Sequence, residues 1–188
     1  MRDELESGNF SIFSRGLFSA IEKTLQNKRQ AILFLNRRGH STFVSCRKCG
    51  YVLKCSHCDV SYVYHSKINR LICRYCGKSI PNPEVCPACG SKYIKRFGIG
   101  TQKVEAETKK LFPGASVLRM DADTIRGRAG HSKMLKDFAD KKADILVGTQ
   151  MIAKGLDFPG VSLVGVIAAD VSLNFGDYQC AENTFQLI

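Results

Sequence analysis

The sequence predicts an α/β domain with a parallel sheet, interrupted by a small metal-binding module. Two observations lead to this prediction. Amphipathic segments of helical length alternate with short apolar segments over residues 10–36 and 98–188. This alternation is typical of parallel strands joined by right-handed helical crossovers. Between these regions, residues 46–89 contain eight of the nine cysteines, in four pairs of the form CxxC.

The elements follow from periodicity and from turn residues. Residues 11–29 predict an amphipathic helix, because apolar side chains recur at every fourth position: Phe13, Leu17, Ile21 and Leu25. Further helices are predicted over 101–112, with Thr101 as N-cap, over 131–142, with Met134, Leu135 and Phe138 on one face, and from 178 to 188. Apolar runs predict buried strands over 31–36, 116–120, 143–149 and 161–169.

These elements divide the chain into three parts. Residues 1–40 begin the α/β domain, residues 41–97 form the insertion, and residues 98–188 are the remainder of the domain. The insertion is rich in glycine, proline and cysteine and cannot build a conventional core without further help. A metal is therefore expected to hold it together.

Positive charge is concentrated in the same segment. The chain has a net charge of +11, and residues 37–96 contain 12 basic and 2 acidic residues. Two divalent ions bound by eight thiolates would lower the charge of this segment to about +6. A localised basic surface attracts polyanions, most often nucleic acid, although a merely solvated basic module is the alternative.

Membrane insertion and export are not expected. The sequence has no apolar run of about 18 residues, and the charged start MRDELESGNF does not resemble a secretory signal. We therefore expect a soluble, cytoplasmic protein.

The cysteine spacing predicts two structural metal sites. A CxxC turn brings two sulfurs to one side, and two such pairs complete a tetrahedral site. Zinc is the expected ion, and a rubredoxin-type iron site is the alternative for the CxxCG turns. With eight thiolates present, His57 and His65 are not expected to be ligands. Cys180 has no pairing partner in the sequence and is expected to be a small buried residue.

The pairing of the cysteines is less constrained. Residues 59–72 alternate and turn back as a β-hairpin, the arrangement of a zinc ribbon. This favours a nested scheme, with one zinc on Cys55, Cys58, Cys73 and Cys76 and a second on Cys46, Cys49, Cys86 and Cys89. Sequential and crossed pairings remain open.

Residues 143–159 carry a candidate phosphate-binding edge. An apolar strand ends in Gly148, Thr149 and Gln150, and Asp157 follows. A hydroxyl and exposed amides at the carboxyl end of a strand can bind a phosphate, and an acid can accept a hydrogen bond from a ribose hydroxyl. This pattern alone is weak evidence for a nucleotide- or DNA-binding site.

The context of this segment makes it specific. ADILVGTQMIAKGLDFP resembles motif V of superfamily 2 helicases, and ILFLNRRGH resembles the motif that begins their second lobe. SGNFSIFSRGL and GIGTQKVEAETKKLFPGASVLRMDADT are similar to segments on either side of the eight-cysteine insertion in PriA-family proteins. The chain is therefore identified as resembling the PriA family over essentially its whole length.

The resemblance implies a RecA-like second helicase lobe with an inserted zinc module. It implies an ATP-dependent 3′-to-5′ DNA helicase that restarts stalled replication forks in the bacterial cytoplasm, associated with the nucleoid. The implied cofactors are two zinc ions and, in the full-length protein, ATP with magnesium. The implied partners are forked or single-stranded DNA, primosome proteins and the single-stranded-DNA-binding protein.

The resemblance also implies roles for individual residues. The implied DNA contacts are Thr149, Gln150, Lys154, Arg37 and Arg38. For the two arginines, a solvated turn without a DNA contact is the alternative. Gly155 and Asp157 are implied to face the nucleotide cleft.

The chain departs from the complete family pattern in two ways. It contains no GxxxxGK[ST] loop or DExH box, and it ends before the motif with the arginine that stabilises phosphoryl transfer. We therefore expect no ATP hydrolysis by this chain alone. The competing hypothesis is a zinc-ribbon adaptor that binds nucleic acid or protein without a motor, but an adaptor has no need of GTQMIAKGLDFP.

Overall fold

The fold was analysed in a computed structural model. It describes residues 4, 6–9, 11–35, 43–97, 100–121, 124–125, 127–149, 152, 157–167 and 180–187. Two compact units are present. One holds the parallel sheet, within Ser11–Arg37 and Ile99–Ala169, and the other holds the cysteine-rich segment, within Arg38–Gly98.

The sheet unit contains four parallel strands and three helices. The strands are β1 (Gln30–Leu35), β7 (Val117–Met120), β8 (Ile145–Gly148) and β9 (Val161–Ile167), in the order β7-β8-β1-β9. The helices are α1 (Arg15–Gln26), α2 (Thr101–Leu111) and α3 (Gly127–Ala139). A further helix, α4 (Cys180–Leu187), follows later in the chain. The α/β class and the parallel sheet predicted from the alternation are thus confirmed.

Both faces of the inner strands β1 and β8 are buried, which explains their continuous apolar runs, whereas Ser162 and Val164 of the edge strand β9 are exposed. One core contains Leu33 and Leu35 of β1 together with Ile21 of α1 and Val104 of α2. The core on the other face contains Phe34, Met120, Phe138, Leu146 and Ile152. The predicted apolar face of α3 belongs to this second core, where Met134 and Leu135 pack beside Phe138.

Two predictions about the helices were wrong in detail. The first helix begins only at Arg15, capped by the Ser14 hydroxyl, which accepts a hydrogen bond from the Leu17 amide at 3.1 Å. Phe13 therefore precedes the helix, although it is fully buried in the core. Gly100, not Thr101, is the N-cap of α2, because the Thr101 hydroxyl donates instead to the carboxylate of Asp121.

The cysteine-rich unit is built from very short strands. The predicted hairpin is present as β3 (Val63–His65) and β4 (Arg70–Ile72), and β5 (Ser79–Pro81) adds a third antiparallel strand. A second antiparallel pair joins β2 (Phe43–Cys46) to β6 (Ile94–Phe97), with Cys46 opposite Ile94. The sequence did not predict this pair or β5.

Gln30 ties three elements of the sheet unit together. Its side chain is buried, and its amide nitrogen donates to the Phe138 carbonyl at 2.7 Å and to the Ala143 carbonyl at 2.8 Å. These carbonyls lie near the end of α3 and just before β8. The Gln30 side chain therefore supplies a donor to the Ala143 carbonyl and a second donor to the Phe138 carbonyl, which also accepts from the Lys141 amide at 3.0 Å.

Replacing Gln30 with leucine should lower the free energy of unfolding of the sheet unit by about 2 kcal/mol, because two buried hydrogen bonds are lost and the Ala143 carbonyl is left without this donor. Urea denaturation of the metal-loaded chain measures the effect. Gln186→Leu is the control, since Gln186 is exposed on α4. Equal stabilities for the two variants would contradict this account of Gln30.

Candidate metal centres and sheet edge

Each of the four CxxC pairs folds as the same tight turn, or knuckle. The amide of the residue after the second cysteine donates to the carbonyl of the first cysteine, at distances of 2.8–3.0 Å: Gly50 to Cys46, Asp59 to Cys55, Gly77 to Cys73 and Gly90 to Cys86. The amide of each first cysteine donates in turn to a carbonyl five residues later: Tyr51, Val60, Lys78 and Ser91. This repeated pattern presents both sulfurs of each pair on one side.

The residue after each second cysteine has a positive φ, between 51° and 76°. Glycine adopts this conformation at little cost, and three of the four knuckles have glycine there. Asp59 occupies the fourth position. Aspartate tolerates the left-handed region better than most residues, and its carboxylate lies 3.2 Å from Lys54 Nζ.

The structure brings the thiols together in two groups of four. The outer group comprises Cys46, Cys49, Cys86 and Cys89, and the inner group comprises Cys55, Cys58, Cys73 and Cys76. Within each group all sulfurs lie within 4.8 Å of one another. These are the groups of the nested scheme, and neither the sequential nor the crossed scheme matches them.

The spacing of the sulfurs fits a tetrahedral ion. The distances are 3.7 Å for Cys46–Cys89, 3.7 Å for Cys49–Cys86 and 3.6 Å for Cys55–Cys76. A zinc–sulfur bond of about 2.3 Å gives a tetrahedron with edges of about 3.8 Å. Disulfide sulfurs would be only about 2.05 Å apart. Both groups can therefore hold a metal ion without rearrangement.

The first cysteine of each pair is buried, and the second is more exposed. The buried thiols share a small core with Val44, Leu53, Tyr62, Leu71 and Ile94. Each group thus has two ligands anchored in the core and two closer to solvent. This core and the backbone hydrogen bonds stabilise strands of only three or four residues.

The protonation of the thiols is unequal within each group. Burial of Cys46 opposes ionisation, but hydrogen bonds from the Cys49 and Lys48 amides lower its pKa to about 7. The His57 amide is the main reason that the pKa of Cys55 is lowered to about 6. Burial and the neighbouring Cys76 and Cys73 raise the pKa of Cys58 to about 12.

The pKa of Cys49 is raised in the same way as that of Cys58. The Tyr51 amide lowers its pKa, but desolvation and the surrounding thiols outweigh this contribution and raise the pKa to about 12. One thiolate in a group therefore opposes the ionisation of the next. Four thiolates can coexist at this spacing only with a cation between them, so metal uptake must release protons.

Tyr62 supports the inner group from outside it. Its side chain is buried, and burial together with a hydrogen bond to Cys55 raises the pKa of the phenol to about 12. The neutral hydroxyl can then donate to the sulfur of a ligand and orient it. Periodicity had placed Tyr62 in a hairpin but could not predict this contact.

The two histidines of the module lie outside the cysteine groups. Among the described residues, the groups of side chains that can hold a metal contain cysteine alone, and neither His57 nor His65 belongs to one. Cys180 is the first residue of α4, but its side chain lies outside the described part of the structure.

The candidate phosphate-binding edge is only partly described. Thr149 follows β8 and is half-buried, and Asp157 is exposed. The Ile152 amide donates to the Thr149 carbonyl at 3.0 Å, so the chain turns immediately after the strand. Arg37, Arg38, Gln150, Lys154 and Gly155 lie outside the described residues, and their roles stay predictions.

Gly148 allows this turn to lie close to the sheet. A Cβ atom at Gly148 would come within 2.9 Å of the Met120 carbonyl oxygen and of the Ile152 side chain. The end of β7 therefore packs directly against the turn that carries Thr149. Asp121, which follows Met120, lies at the same edge of the sheet.

A second group of polar residues lies at this edge, and no sequence pattern predicts that they meet. Asp121 and Thr101 are buried, and Thr124 is half-buried beside them. Residues so far apart in the chain show no common periodicity. The only available signal was the acidic segment RMDADT directly after a predicted strand.

No described helix is both long enough and apolar enough to span a membrane.

Comparison with family profiles gives two matches. Residues 55–81 match the PriA DNA helicase Cys-rich region domain. Residues 91–181 match the helicase conserved C-terminal domain. The two matches correspond to the cysteine-rich segment and to the later part of the parallel-sheet unit.

Curated relatives match along the whole chain. The chain is 54% identical over 188 residues to the replication restart protein PriA of Bacillus subtilis, covering 100% of the chain and 23% of that protein. It is 51% identical over 192 residues to that of Synechocystis, covering 100% and 23%. For the protein of Treponema pallidum the identity is 40% over 178 residues, covering 94% and 27%. The chain thus spans about a quarter of the length of these relatives.

The two groups predict a metal content of two zinc ions per chain, because each group supplies a complete tetrahedral set of thiolates. Elemental analysis of protein prepared without chelators tests this. Loading should release protons, and the affinity should fall as the pH is lowered, because the thiols must be deprotonated. Clearly fewer than two ions per chain would rule out the four-knuckle arrangement.

Paired substitutions test the grouping. Cys55→Ser and Cys73→Ser should release the same ion, so their combination should lose no more metal than either alone. Cys46→Ser combined with Cys55→Ser should lose both ions. If instead Cys46 and Cys55 behave as ligands of one ion, the nested arrangement is wrong.

Proposed function

Because the chain belongs to the PriA family of replication restart proteins, we propose that it is the part of a DNA helicase that carries the second motor lobe and its zinc module. The observation that supports this most strongly is the combination of two features in one chain. A parallel sheet matching a helicase C-terminal domain is interrupted by a cysteine module of the PriA kind. A zinc-ribbon adaptor would need the module but not the sheet.

The proposed activity is that of the whole protein, of which this chain supplies one portion. It is ATP-dependent unwinding of DNA with 3′-to-5′ polarity at stalled or repaired replication forks. In this proposal ATP binds with magnesium, and Gly155 and Asp157 face the nucleotide. Asp157 is exposed and follows the turn after β8, so its carboxylate is accessible to a ligand.

DNA is the proposed substrate, either forked or single-stranded. Thr149 lies at the carboxyl edge of a parallel sheet, where open α/β sheets bind their ligands. We propose that Thr149, Gln150 and Lys154 contact the DNA backbone, and that Arg37 and Arg38 add to this contact.

The charge of the zinc module also favours contact with a polyanion. Among the side chains that the structure describes, six basic ones are exposed on it: Lys48, Lys54, Lys67, Arg70, Arg74 and Lys92. Its acidic residues are Asp59 and Glu84. A surface of this kind binds phosphates with little dependence on base sequence and with a strong dependence on salt.

Zinc is the proposed metal of both cysteine groups. A set of four thiolates at tetrahedral spacing is typical of structural zinc, and each group is closed, without a position left for a substrate. The cysteines then contribute folding free energy to the module, because the unfolded chain has no preformed site.

The remaining expectations also stay proposals. The domain bounds are 1–40, 41–97 and 98–188. The proposed protein partners are primosome proteins and the single-stranded-DNA-binding protein. The proposed location is the bacterial cytoplasm, in association with the nucleoid.

In the full-length protein, Thr149→Ala and Asp157→Ala should impair DNA unwinding about ten- to hundredfold, because each removes a hydrogen bond to a charged ligand. Both variants should remain folded, since Asp157 is exposed and Thr149 is outside the buried cores. ATPase and unwinding assays of the same preparation measure the effect, with circular dichroism as the folding control. Full activity of both variants would show that the sheet edge takes no part in unwinding.

Cys55→Ser should have a different effect in the same assays. Loss of the inner metal should unfold the module, while the parallel sheet, which has its own two cores, should survive. We expect DNA-stimulated ATP hydrolysis to persist and unwinding or partner loading to fail. Loss of the ATPase to the extent seen for Asp157→Ala, in protein shown to be folded, would mean that the module is part of the motor.

A further inference from the structure

A buried polar cluster closes the carboxyl end of β7. The Thr101 hydroxyl, at the start of α2, donates to Asp121 Oδ2. The Thr124 amide donates to Asp121 Oδ1 at 3.0 Å, and the Asp121 amide donates to the Thr124 hydroxyl at 2.9 Å. One carboxylate therefore joins the end of a strand, the following loop and the first turn of a helix.

We propose that Asp121 is a positioning residue for the DNA-contacting edge of the lobe: it fixes the end of β7, against which the turn carrying Thr149 is packed. This inference rests on the proposed function, which assigns Thr149 to DNA. Asp121 itself contacts no DNA in this proposal. It acts through the backbone of Met120 and Gly148.

The negative charge of Asp121 is balanced by neighbouring charged side chains. Arg119 Nε lies 3.5 Å from Asp121 and 3.3 Å from Glu105, and Lys109 lies 2.7 Å from Glu105. The four groups form a row of alternating charge with no net charge. An aspartate at this edge therefore need not repel a phosphate.

The carboxylate form of Asp121 is favoured by its surroundings. Burial opposes ionisation, but hydrogen bonds from Thr101 and Thr124 and the charge of Arg119 hold the pKa below its ordinary value. The Thr101 hydroxyl and the Thr124 amide are both donors. An asparagine would lose the charge that faces Arg119, and its amide nitrogen would fit only if the Thr101 hydroxyl turned round to accept a hydrogen bond.

The connection to Thr149 is direct. β7 and β8 pair in parallel with Met120 opposite Gly148. The Met120 carbonyl oxygen and the Ile152 side chain fill the space where a Gly148 side chain would lie. A shift at Asp121 would therefore be transmitted through Met120 to the turn between Thr149 and Ile152.

The β7–β8 strand pair has a second aspartate at its other end. A comparison of the two aspartates separates a positioning effect on Thr149 from a general loss of stability. Asp144 precedes β8, and its Oδ2 accepts hydrogen bonds from the amide and the hydroxyl of Ser116, both at 2.8 Å. Asp144 thus ties together the amino ends of β7 and β8, as Asp121 secures the carboxyl end. Only the carboxyl end of a parallel sheet is expected to bind a ligand.

The experiment compares Asp121→Asn with Asp144→Asn in the zinc-loaded chain. Two quantities are measured: hydrogen exchange of the Ile152 amide, which reports on its bond to the Thr149 carbonyl, and the Kd for a fluorescent single-stranded oligonucleotide. In Asp121→Asn we expect Ile152 to exchange at least about tenfold faster. The Kd should rise about tenfold, the loss typical of a contact to a charged group. Asp144→Asn should change neither by more than about twofold, although it also lowers stability.

A second pair of variants tests the same inference if Asp121→Asn does not fold. Thr101→Val removes the hydroxyl bound to Asp121, and Thr108→Val removes a buried hydroxyl of the same helix that bonds only to the Val104 carbonyl, at 2.7 Å. The two changes are chemically the same. Thr101→Val should accelerate exchange at Ile152 and weaken DNA binding, and Thr108→Val should do neither.

The two readouts separate failure of this inference from failure of the proposed function. If the unsubstituted chain does not bind DNA while Asp121→Asn still accelerates exchange at Ile152, the DNA assignment fails and the positioning role stands. If exchange at Ile152 is unchanged in both Asp121→Asn and Thr101→Val, or is equally changed by the two controls, the positioning role is wrong whatever the chain binds.

Discussion

Parallel pairing of β1 on both of its sides is the constraint on which the parallel-sheet unit depends. β1 bonds to β8 on one side and to β9 on the other, so it lies inside the sheet with both faces covered. Its neighbours must run in the same direction, and every strand then ends at one edge. The loops at that edge bring Asp121 and Thr149 together although 27 residues lie between them in the sequence. The candidate DNA-contacting edge follows from this arrangement of the backbone.

The cysteine-rich unit depends on a different interaction. Its strands have three or four residues and its hydrophobic core is small, so side-chain burial alone is a weak source of stability. The four knuckles compensate by offering two complete sets of thiolates. In each knuckle two backbone hydrogen bonds preorganise the sulfurs before any ion arrives. Binding then adds directly to folding, because the unfolded chain holds its cysteines far apart.

The insertion of such a module between β1 and α2 is compatible with the physics of both parts. Each part has a core of its own, and β2 pairs with β6, so the entering and leaving segments of the insertion lie side by side. An insertion whose ends meet adds little strain to the host, because lengthening a connection costs little free energy. This separation of cores is what allows the proposed motor and the proposed metal module to be altered independently.

The sequence by itself determined the features that depend on local pattern. The alternation of segments predicted the parallel α/β lobe, the CxxC spacing predicted two sets of four thiols, and the resemblance to PriA proteins predicted the family. Periodicity could do this because it reports which residues share a face of one helix or strand. It placed Met134, Leu135 and Phe138 correctly on α3 for that reason.

Only the tertiary structure decided the features that depend on distant residues. The nested grouping of cysteines was one of three possibilities until the sulfurs of Cys46 and Cys89 were found 3.7 Å apart. Thr101 had the local pattern of an N-cap, but a buried carboxylate 20 residues away offered its hydroxyl a stronger partner. The β2–β6 pair was missed because four-residue strands separated by 47 residues carry no local signal. A hydrogen bond between distant residues exists only once the backbone has brought them together, and no local pattern records it.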